Sequence, residues 1–291
     1  MKKLLITGSS GMLGANLAFE NKDRYVLYGI DNAAPSTQLR KSFQIDIKDS
    51  GKLQEVISEI KPDFVVHCAA ITNVDACEDD YILARKTNAI ATRDLIAAAG
   101  RKTRFIYIST DSVFSGTRGN YTEADLPSPL NNYAKSKLEG EWYVEQEAKN
   151  YVIIRTNMFG FNRVRGQSFA EWIVNSLSQQ HKINMFTDVI FSAVSVYTLV
   201  QLIEKLLLSE FTGRLNIGTD SPISKYDFGI RLSDIFGFDV SLITPMSVDK
   251  FDFKAKRPKN TSLDISKAKG IFGSALNIEE ELALFHKRWV V

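Results

Sequence analysis

Hydrophobic and polar positions follow two rhythms along this chain. Short β-branched and aromatic runs predict strands over Lys3–Thr7, Tyr25–Asp31, Phe43–Ile47, Asp63–Ala70, Arg104–Thr110 and Tyr151–Thr156. Helical patterns lie between them over Met12–Asn21, Leu53–Ile60, Tyr81–Gly100 and Asn131–Lys149. In the second of these, Leu53, Val56, Ile57 and Ile60 share one face. The strand runs are apolar almost throughout, as befits strands buried on both faces. This βαβαβ order predicts an α/β fold, a doubly wound parallel sheet with helices on both sides.

After about Asn157 the rhythm loosens. Helices are predicted over Gly166–Gln180, Ser195–Ser209, Lys225–Phe236 and Ile278–Trp289, with a short strand over Leu215–Gly218. The charged stretch Asp249–Asn260 reads as a loop. We expect residues 1–157 to form the first domain and residues 158–291 mainly a smaller C-terminal α/β lobe. Residues 190–210 are expected to return to the first domain, so the division is not one clean cut.

Composition narrows the classes. A net charge of +2 over 291 residues supplies no broad positive field, which disfavours nucleic acid as a partner. No apolar run is long enough to span a bilayer, and the Leu4–Ile6 run ends at Thr7-Gly8, too soon for a signal peptide. The two cysteines, Cys68 and Cys77, suggest no disulfide framework. A cytoplasmic protein is expected. The three histidines show no metal-ligand spacing, and no metal is expected.

The first strand runs into Thr7-Gly8-Ser9-Ser10-Gly11-Met12-Leu13-Gly14 and then a helix. Here Gly8 would allow a tight turn, Gly11 would let backbone N–H groups approach a pyrophosphate, and Gly14 would let helix and strand pack closely. This marks a dinucleotide-binding domain. Asp31, ending the second strand, can accept hydrogen bonds from ribose hydroxyls, and its charge favours NAD over a 2′-phosphate. Asp46 ends the next strand and is placed near the adenine.

Beyond the later strand ends lie Cys68-Ala69-Ala70, Ser109-Thr110-Asp111 and Tyr133-Ala134-Lys135-Ser136-Lys137. On a helix, Lys137 shares the face of Tyr133 and Lys135 does not. A phenol with a pKa of about 10 exchanges protons sluggishly near neutrality, and a neighbouring ammonium is expected to lower that pKa. Thr110 can hydrogen-bond and orient a substrate oxygen. Together Tyr133, Lys137 and Thr110 form a site for hydride transfer coupled to proton transfer. In the late loop, Arg257 is the best candidate for a bidentate contact to a substrate diphosphate.

These stretches resemble the extended short-chain dehydrogenase/reductase superfamily and, more narrowly, the dTDP-4-dehydrorhamnose reductase family. The glycine loop, Cys68-Ala69-Ala70, Thr72-Asn73-Val74-Asp75, Asn88 and the Tyr133–Lys137 stretch carry the broad resemblance. Ile108-Ser109-Thr110-Asp111-Ser112-Val113-Phe114-Ser115-Gly116 and Arg257-Pro258-Lys259-Asn260-Thr261-Ser262-Leu263 carry the narrow one. The resemblance implies a Rossmann domain, a cofactor NADH or NADPH, and reduction of a 4-keto group on a nucleoside-diphosphate deoxysugar.

It assigns Tyr133 as proton donor, Lys137 as its modulator and a cofactor contact, and Thr110 as the group tuning the carbonyl. It places Gly11, Met12 and Leu13 at the pyrophosphate, and Asp31, Asp46 and Ile47 at the adenosine. Ala69, Ala70, Thr72 and Asn88 fall along the rest of the cofactor. Thr72, Val74, Asp111 and Met158 fall at the sugar. Ser112 and Met158 replace a tyrosine and a tryptophan of the best-known reductases, which changes the sugar pocket and leaves the redox machinery. Other members of the superfamily are epimerases, dehydratases or silent cofactor-binding regulatory subunits. Ser112 in place of a second acid disfavours a dehydratase, and the intact Thr110, Tyr133 and Lys137 argue against a silent subunit. A homodimer paired through the Tyr133 helix is one candidate assembly.

Overall fold

A computed structural model describes residues 1–33, 39–164 and 166–289. The first half alternates β1 (Lys3–Thr7), α1 (Met12–Asn21), β2 (Val26–Asp31), β3 (Lys41–Gln44), α2 (Ser50–Ile60), β4 (Phe64–His67), α3 (Val74–Asp79) and α4 (Tyr81–Arg85). A π-helical turn, Lys86–Ile90, joins α4 to α5 (Ala91–Ala99), followed by β5 (Arg104–Ile108), α6 (Asn132–Glu147) and β6 (Tyr151–Phe159). The second half contains α7 (Phe169–Ser178), β7 (Ile183–Phe186), β8 (Ile190–Phe191), β9 (Ala193–Ser195), α8 (Val196–Leu208) and β10 (Gly213–Ile217). It ends with β11 (Ile223–Ser224), α9 (Lys225–Phe236), β12 (Ile243–Met246), α10 (Ser266–Phe272) and α11 (Ile278–Trp289).

Among the described residues the main sheet has eight strands in the order β10-β6-β5-β4-β1-β2-β3, with β9 also paired to β6. Its pairings are parallel. The order reverses between β1 and β4, the switch point at which such sheets bind ligands beyond their strand ends. Side-chain alternation explains the two helical layers. Leu4 and Ile6 enter the core shared with α1 and α8, while Leu5 enters the core shared with α2, α5 and α6. Both sides of the sheet are therefore apolar, which is why its strands read as unbroken hydrophobic runs.

Several boundaries differ from expectation. The third strand is Lys41–Gln44, so Asp46 and Ile47 lie in the loop that follows. The fourth ends at His67, which leaves Cys68-Ala69-Ala70 outside the ladder. Helix α3 was not anticipated. Its start is set by Asn73, whose side chain accepts from the Ala76 N–H at 3.0 Å. The Tyr81–Gly100 helix is interrupted because Asn88 turns its amide onto the backbone of Ile71, donating to its carbonyl at 3.0 Å and accepting from its N–H at 2.8 Å. The widened turn at 86–90 accommodates that latch.

In the second half, β8 pairs antiparallel with β11, and β7 pairs parallel with β12. Helices α7 and α9 pack against them, α11 packs on α9 and β9, and Phe159 from β6 meets Phe228 and Phe285 edge-on at 5.1 and 5.9 Å. Helix α8 lies against α1, β5 and β6.

The two motifs that carry the narrower resemblance pack on each other. Gly116 has φ +72°, and a Cβ there would lie 2.6 Å from Pro258. The Asn260 N–H donates to the Gly116 carbonyl at 2.9 Å, and the Tyr121 N–H donates to Ser262. Helix α6 is fastened to the sheet by a buried ion pair. Glu141 accepts from Arg155 Nη2 at 2.7 Å and Nε at 3.0 Å, and from Ser109 Oγ at 2.5 Å. Both charged side chains are almost wholly buried. Glu141→Gln would leave the Arg155 charge uncompensated, and we expect it to cost about 3–5 kcal/mol of stability. Urea unfolding at neutral pH checks this; an unchanged midpoint would remove the clamp from the account.

Candidate functional site

A cleft of about 990 Å³ opens beyond the carboxyl ends of the parallel strands. Its phosphate end is built by the β1–α1 turn. Gly8 has φ +67°, and a Cβ there would sit 2.8 Å from the Ala69 nitrogen. A Cβ on Gly14 would meet the Gly8 carbonyl oxygen at 2.2 Å. Only glycine fits either place. Gly11 caps α1 without a side-chain hydrogen bond, so the first N–H groups of the helix are left to a ligand. This arrangement fits a dinucleotide pyrophosphate. Gly8, Gly11, Met12, Leu13 and Gly14 all line the cleft.

Asp31, Asp46 and Ile47 line it further along, as do Ala69, Ala70, Thr72 and Val74. Asp31 also braces the glycine loop, accepting from Ser10 N–H at 2.9 Å and Ser10 Oγ at 2.7 Å. Asp46 is half exposed and paired with Lys48 at 2.7 Å. Asn88 is the one expected cofactor residue that the structure keeps out of the cleft wall. Its side chain is fully buried on Ile71 and donates to Ser136 Oγ at 2.9 Å, and Ser136 Oγ donates to the Tyr133 carbonyl at 2.7 Å. It therefore positions the wall and the start of α6.

A second buried chain runs behind the floor. Thr92 Oγ1 donates to the Asn88 carbonyl at 2.9 Å, so at 2.9 Å from His67 Nε2 it must accept. His67 Nδ1 then accepts from Thr7 Oγ1 at 2.6 Å. Burial, with a smaller push from the Lys137 charge, drives the His67 pKa down to about 3, and the ring stays neutral. Burial also pushes the Cys68 thiol up to about 12, which makes it an inert wall.

Thr110, Asp111, Tyr133 and Lys137 meet at the mouth of β5, together with Met158 and Arg257. Tyr133 and Lys137 are presented by α6, whose start is fixed by Asn131. Its Oδ1 accepts from the Ala134 N–H at 2.9 Å, while its Nδ2 donates to the Lys256 carbonyl at 2.9 Å. Thr110 caps the turn Asp111–Val113, accepting from the Ser112 N–H at 3.1 Å. Asp111 is buried and saturated by neutral donors: Thr261 at 2.6 Å, Asn157 at 3.1 Å, Thr110 at 3.2 Å and Ser112 at 3.3 Å. Burial raises its pKa and these hydrogen bonds oppose the rise.

The expectation of an acidic phenol is not met. Burial raises the Tyr133 pKa well above that of a free phenol; the Thr110 hydroxyl opposes this, and the Asp111 charge adds to it. Lys137 bears the same desolvation, which brings its pKa down to about 7 against the pull of Glu141. Its ammonium lies 4.1 Å from the centre of the Tyr107 ring. The site thus holds a firmly protonated phenol beside an amine poised near neutrality.

Some cleft residues were not legible beforehand. Phe186, Phe191, Phe253 and Lys225 reach the cleft from the second half of the chain. In sequence, Phe186 and Phe191 belong to a phenylalanine-rich stretch that reads as lobe packing, with nothing to select a cleft residue, and Phe253 falls in the charged loop. Glu141 lies four residues past Lys137, so its place on the same helical face was the one available signal.

The comparisons with known proteins agree with this geometry. The family model described as the RmlD substrate binding domain matches residues 1–289. A Haloferax volcanii protein named probable low-salt glycan biosynthesis reductase Agl14 is 30% identical, over 96% of this chain and 95% of that protein. Methionine adenosyltransferase 2 subunit beta of Rattus norvegicus is also 30% identical, over 99% of this chain and 90% of that protein. A dTDP-4-dehydrorhamnose reductase from Bacillus anthracis, solved in complex with NADP, superposes with a TM-score of 0.90 at 29% identity, over 99% of this chain and 100% of that one. With a match along almost its whole length, the chain belongs to the RmlD substrate-binding domain family.

Proposed function

We propose that this protein is an NAD(P)H-dependent reductase acting on the 4-keto group of a nucleoside-diphosphate deoxysugar such as dTDP-4-dehydrorhamnose. The observation that carries this reading is the meeting of Thr110, Tyr133 and Lys137 with the glycine cradle in one cleft. The likeness to the Bacillus anthracis reductase supports it. The nicotinamide, when bound, supplies the hydride. Thr110 Oγ1, which donates to Asp111 at 3.2 Å, is placed to turn its proton to the substrate carbonyl and hold it toward Tyr133. The neutral phenol gives its proton to the new alkoxide, and the Lys137 ammonium steadies the phenolate left behind. A raised phenol pKa suits a donor, because the proton is present at any physiological pH.

In this reading Gly8, Gly11, Met12, Leu13 and Gly14 hold the pyrophosphate. Asp31, Asp46 and Ile47 face the adenosine, with Asp31 favouring NADH by charge. Ala69, Ala70, Thr72 and Lys137 meet the rest of the cofactor. Thr72, Val74, Asp111 and Met158 face the sugar, and Arg257 its diphosphate. Residues 1–157 act as the cofactor domain with 190–210 returning to it, and 158–291 mainly as the substrate lobe. No described helix is long and apolar enough to cross a membrane. The free thiols Cys68 and Cys77 suit a reducing compartment, and this reading places the enzyme in the cytoplasm. The exposed Trp142 on α6 offers a surface for pairing two copies. The occupied, neutral-donor shell around Asp111 favours a reductase over a dehydratase, which needs a free acid beside the threonine.

Three outcomes test this. A panel of nucleoside-diphosphate 4-keto sugars, offered with NADH or NADPH, should oxidise the cofactor, seen as loss of its near-ultraviolet absorbance. Tyr133→Phe should lower turnover by roughly 10²-fold or more with cofactor affinity little changed. Unaltered turnover in that variant would falsify the donor role. Lys137 should be protonated below a pH of about 7 and neutral above it. We therefore expect kcat/KM for the reduced cofactor, which reports free-enzyme ionisations, to be level in acid and to fall as pH rises through that value. The inflexion should vanish in Lys137→Met; its persistence there would assign it to another group.

A further inference from the structure

Lys225 opens α9 and is held there from both sides. Ser224 caps the helix, accepting from the Asp227 N–H at 2.9 Å, and the Lys225 N–H donates to the Val189 carbonyl at 2.9 Å. The antiparallel pairing of Ile223–Ser224 with Ile190–Phe191 brings Phe191 beside it. The side chain is half-buried and faces the cleft. Its ammonium lies 4.5 Å from the centre of the Phe169 ring and 5.9 Å from that of Phe191. Among the described residues it has no hydrogen-bond acceptor and no carboxylate within ion-pair distance. The nearby acid, Asp111, is taken up by four neutral donors.

A second cation shares this end of the cleft. Arg257 lies over the Phe253 ring at 4.6 Å and spends Nη2 on Asp75 at 2.8 Å. Its Nη1 is buried without a partner. Lys225 and Arg257 are close enough that the guanidinium lowers the lysine pKa, although burial is the larger cause. Two like charges facing one cavity, each with an unused donor, are mutually unfavourable until an anion enters between them. Aromatic faces hold the lysine stem in place without consuming its hydrogen-bond donors.

We propose that Lys225 is a substrate-specificity residue, forming with Arg257 a two-cation site for the diphosphate of the nucleotide-sugar, in which Lys225 takes the sugar-side phosphate. The assignment follows from position. Lys225 follows Ser224, which pairs with Ile190, and the Ile190 carbonyl accepts from the Thr261 N–H at 3.0 Å. Thr261 Oγ1 donates to the deeply buried Asp111 at 2.6 Å, whereas Arg257 is tied to the partly exposed Asp75 at the rim. The phosphate next to the sugar therefore falls to Lys225 and the nucleoside-side phosphate to Arg257. This inference rests on the nucleotide-sugar reading above.

Calorimetric titration of the full-length protein with dTDP, UDP and GDP, and with dTMP, UMP and GMP, tests it. The wild-type protein should bind at least one diphosphate more tightly than its monophosphate. Lys225→Met should weaken that diphosphate by about 10- to 100-fold, the size expected for a charged hydrogen bond. It should leave the monophosphate and NADPH within about twofold, and Lys225→Arg should restore most of the difference. Lys225→Gln replaces the methionine variant if the latter does not fold. Equal weakening of mono- and diphosphate, or no weakening, would overturn the proposal while leaving the substrate class standing. So would selective loss of substrates that carry a carboxylate on the sugar, since the anion would then lie on the sugar. A wild-type protein that binds none of the diphosphates would overturn the substrate reading and this inference with it.

Discussion

The arrangement of the site depends on one buried ion pair. Glu141 on α6 grips Arg155 on β6 and Ser109 at the end of β5, so the helix cannot slide along the sheet without breaking a charged contact in an apolar interior. Tyr133, Lys137 and Glu141 are spaced by four and lie on one face of that helix. Fixing the last of the three fixes the height at which the first two face the strand ends. The same carboxylate opposes the desolvation of Lys137, which links the anchor to the charge state of the site. The clamp thus acts on both the position and the ionisation of the groups it supports.

Burial decides much of the chemistry, and it acts on the phenol and the amine in opposite senses of charge. Both prefer to be neutral when taken from water, so the phenol keeps its proton more firmly and the amine less firmly. A motif read along a helix suggests a charge–charge effect because only the spacing is visible. The depth of the helix face in the protein is a tertiary property, and it reverses the expected sign for Tyr133.

How much was legible follows the same line. The helices Met12–Asn21, Lys225–Phe236 and Ile278–Trp289 and the strand Lys3–Thr7 have the limits that their periodicity predicts, because local pattern alone sets them. The glycine turn was legible because steric exclusion at Gly8 and Gly14 has a direct signature in residue type. Asn88 was misplaced because a buried amide that hydrogen-bonds a neighbouring loop looks, in sequence, like one facing a ligand. Lys225 went unnoticed because its surroundings, Phe169, Phe191 and Asp111, come from three separate segments. Chemistry assembled by distant elements leaves no spacing to read.

The late loop is stitched to the first half at several points. Arg257 and the Ala255 N–H both bind Asp75, Asn131 binds the Lys256 carbonyl, and Asn260 lies on Gly116. One rim of the cleft is therefore a seam between stretches more than 120 residues apart in the chain. The consequence is evolutionary. Substrate preference cannot be exchanged by trading the second half between relatives as an interchangeable cassette. The transplanted rim would arrive with its mating edge left behind, so new preferences in such a scaffold have to accumulate on both sides of the seam together.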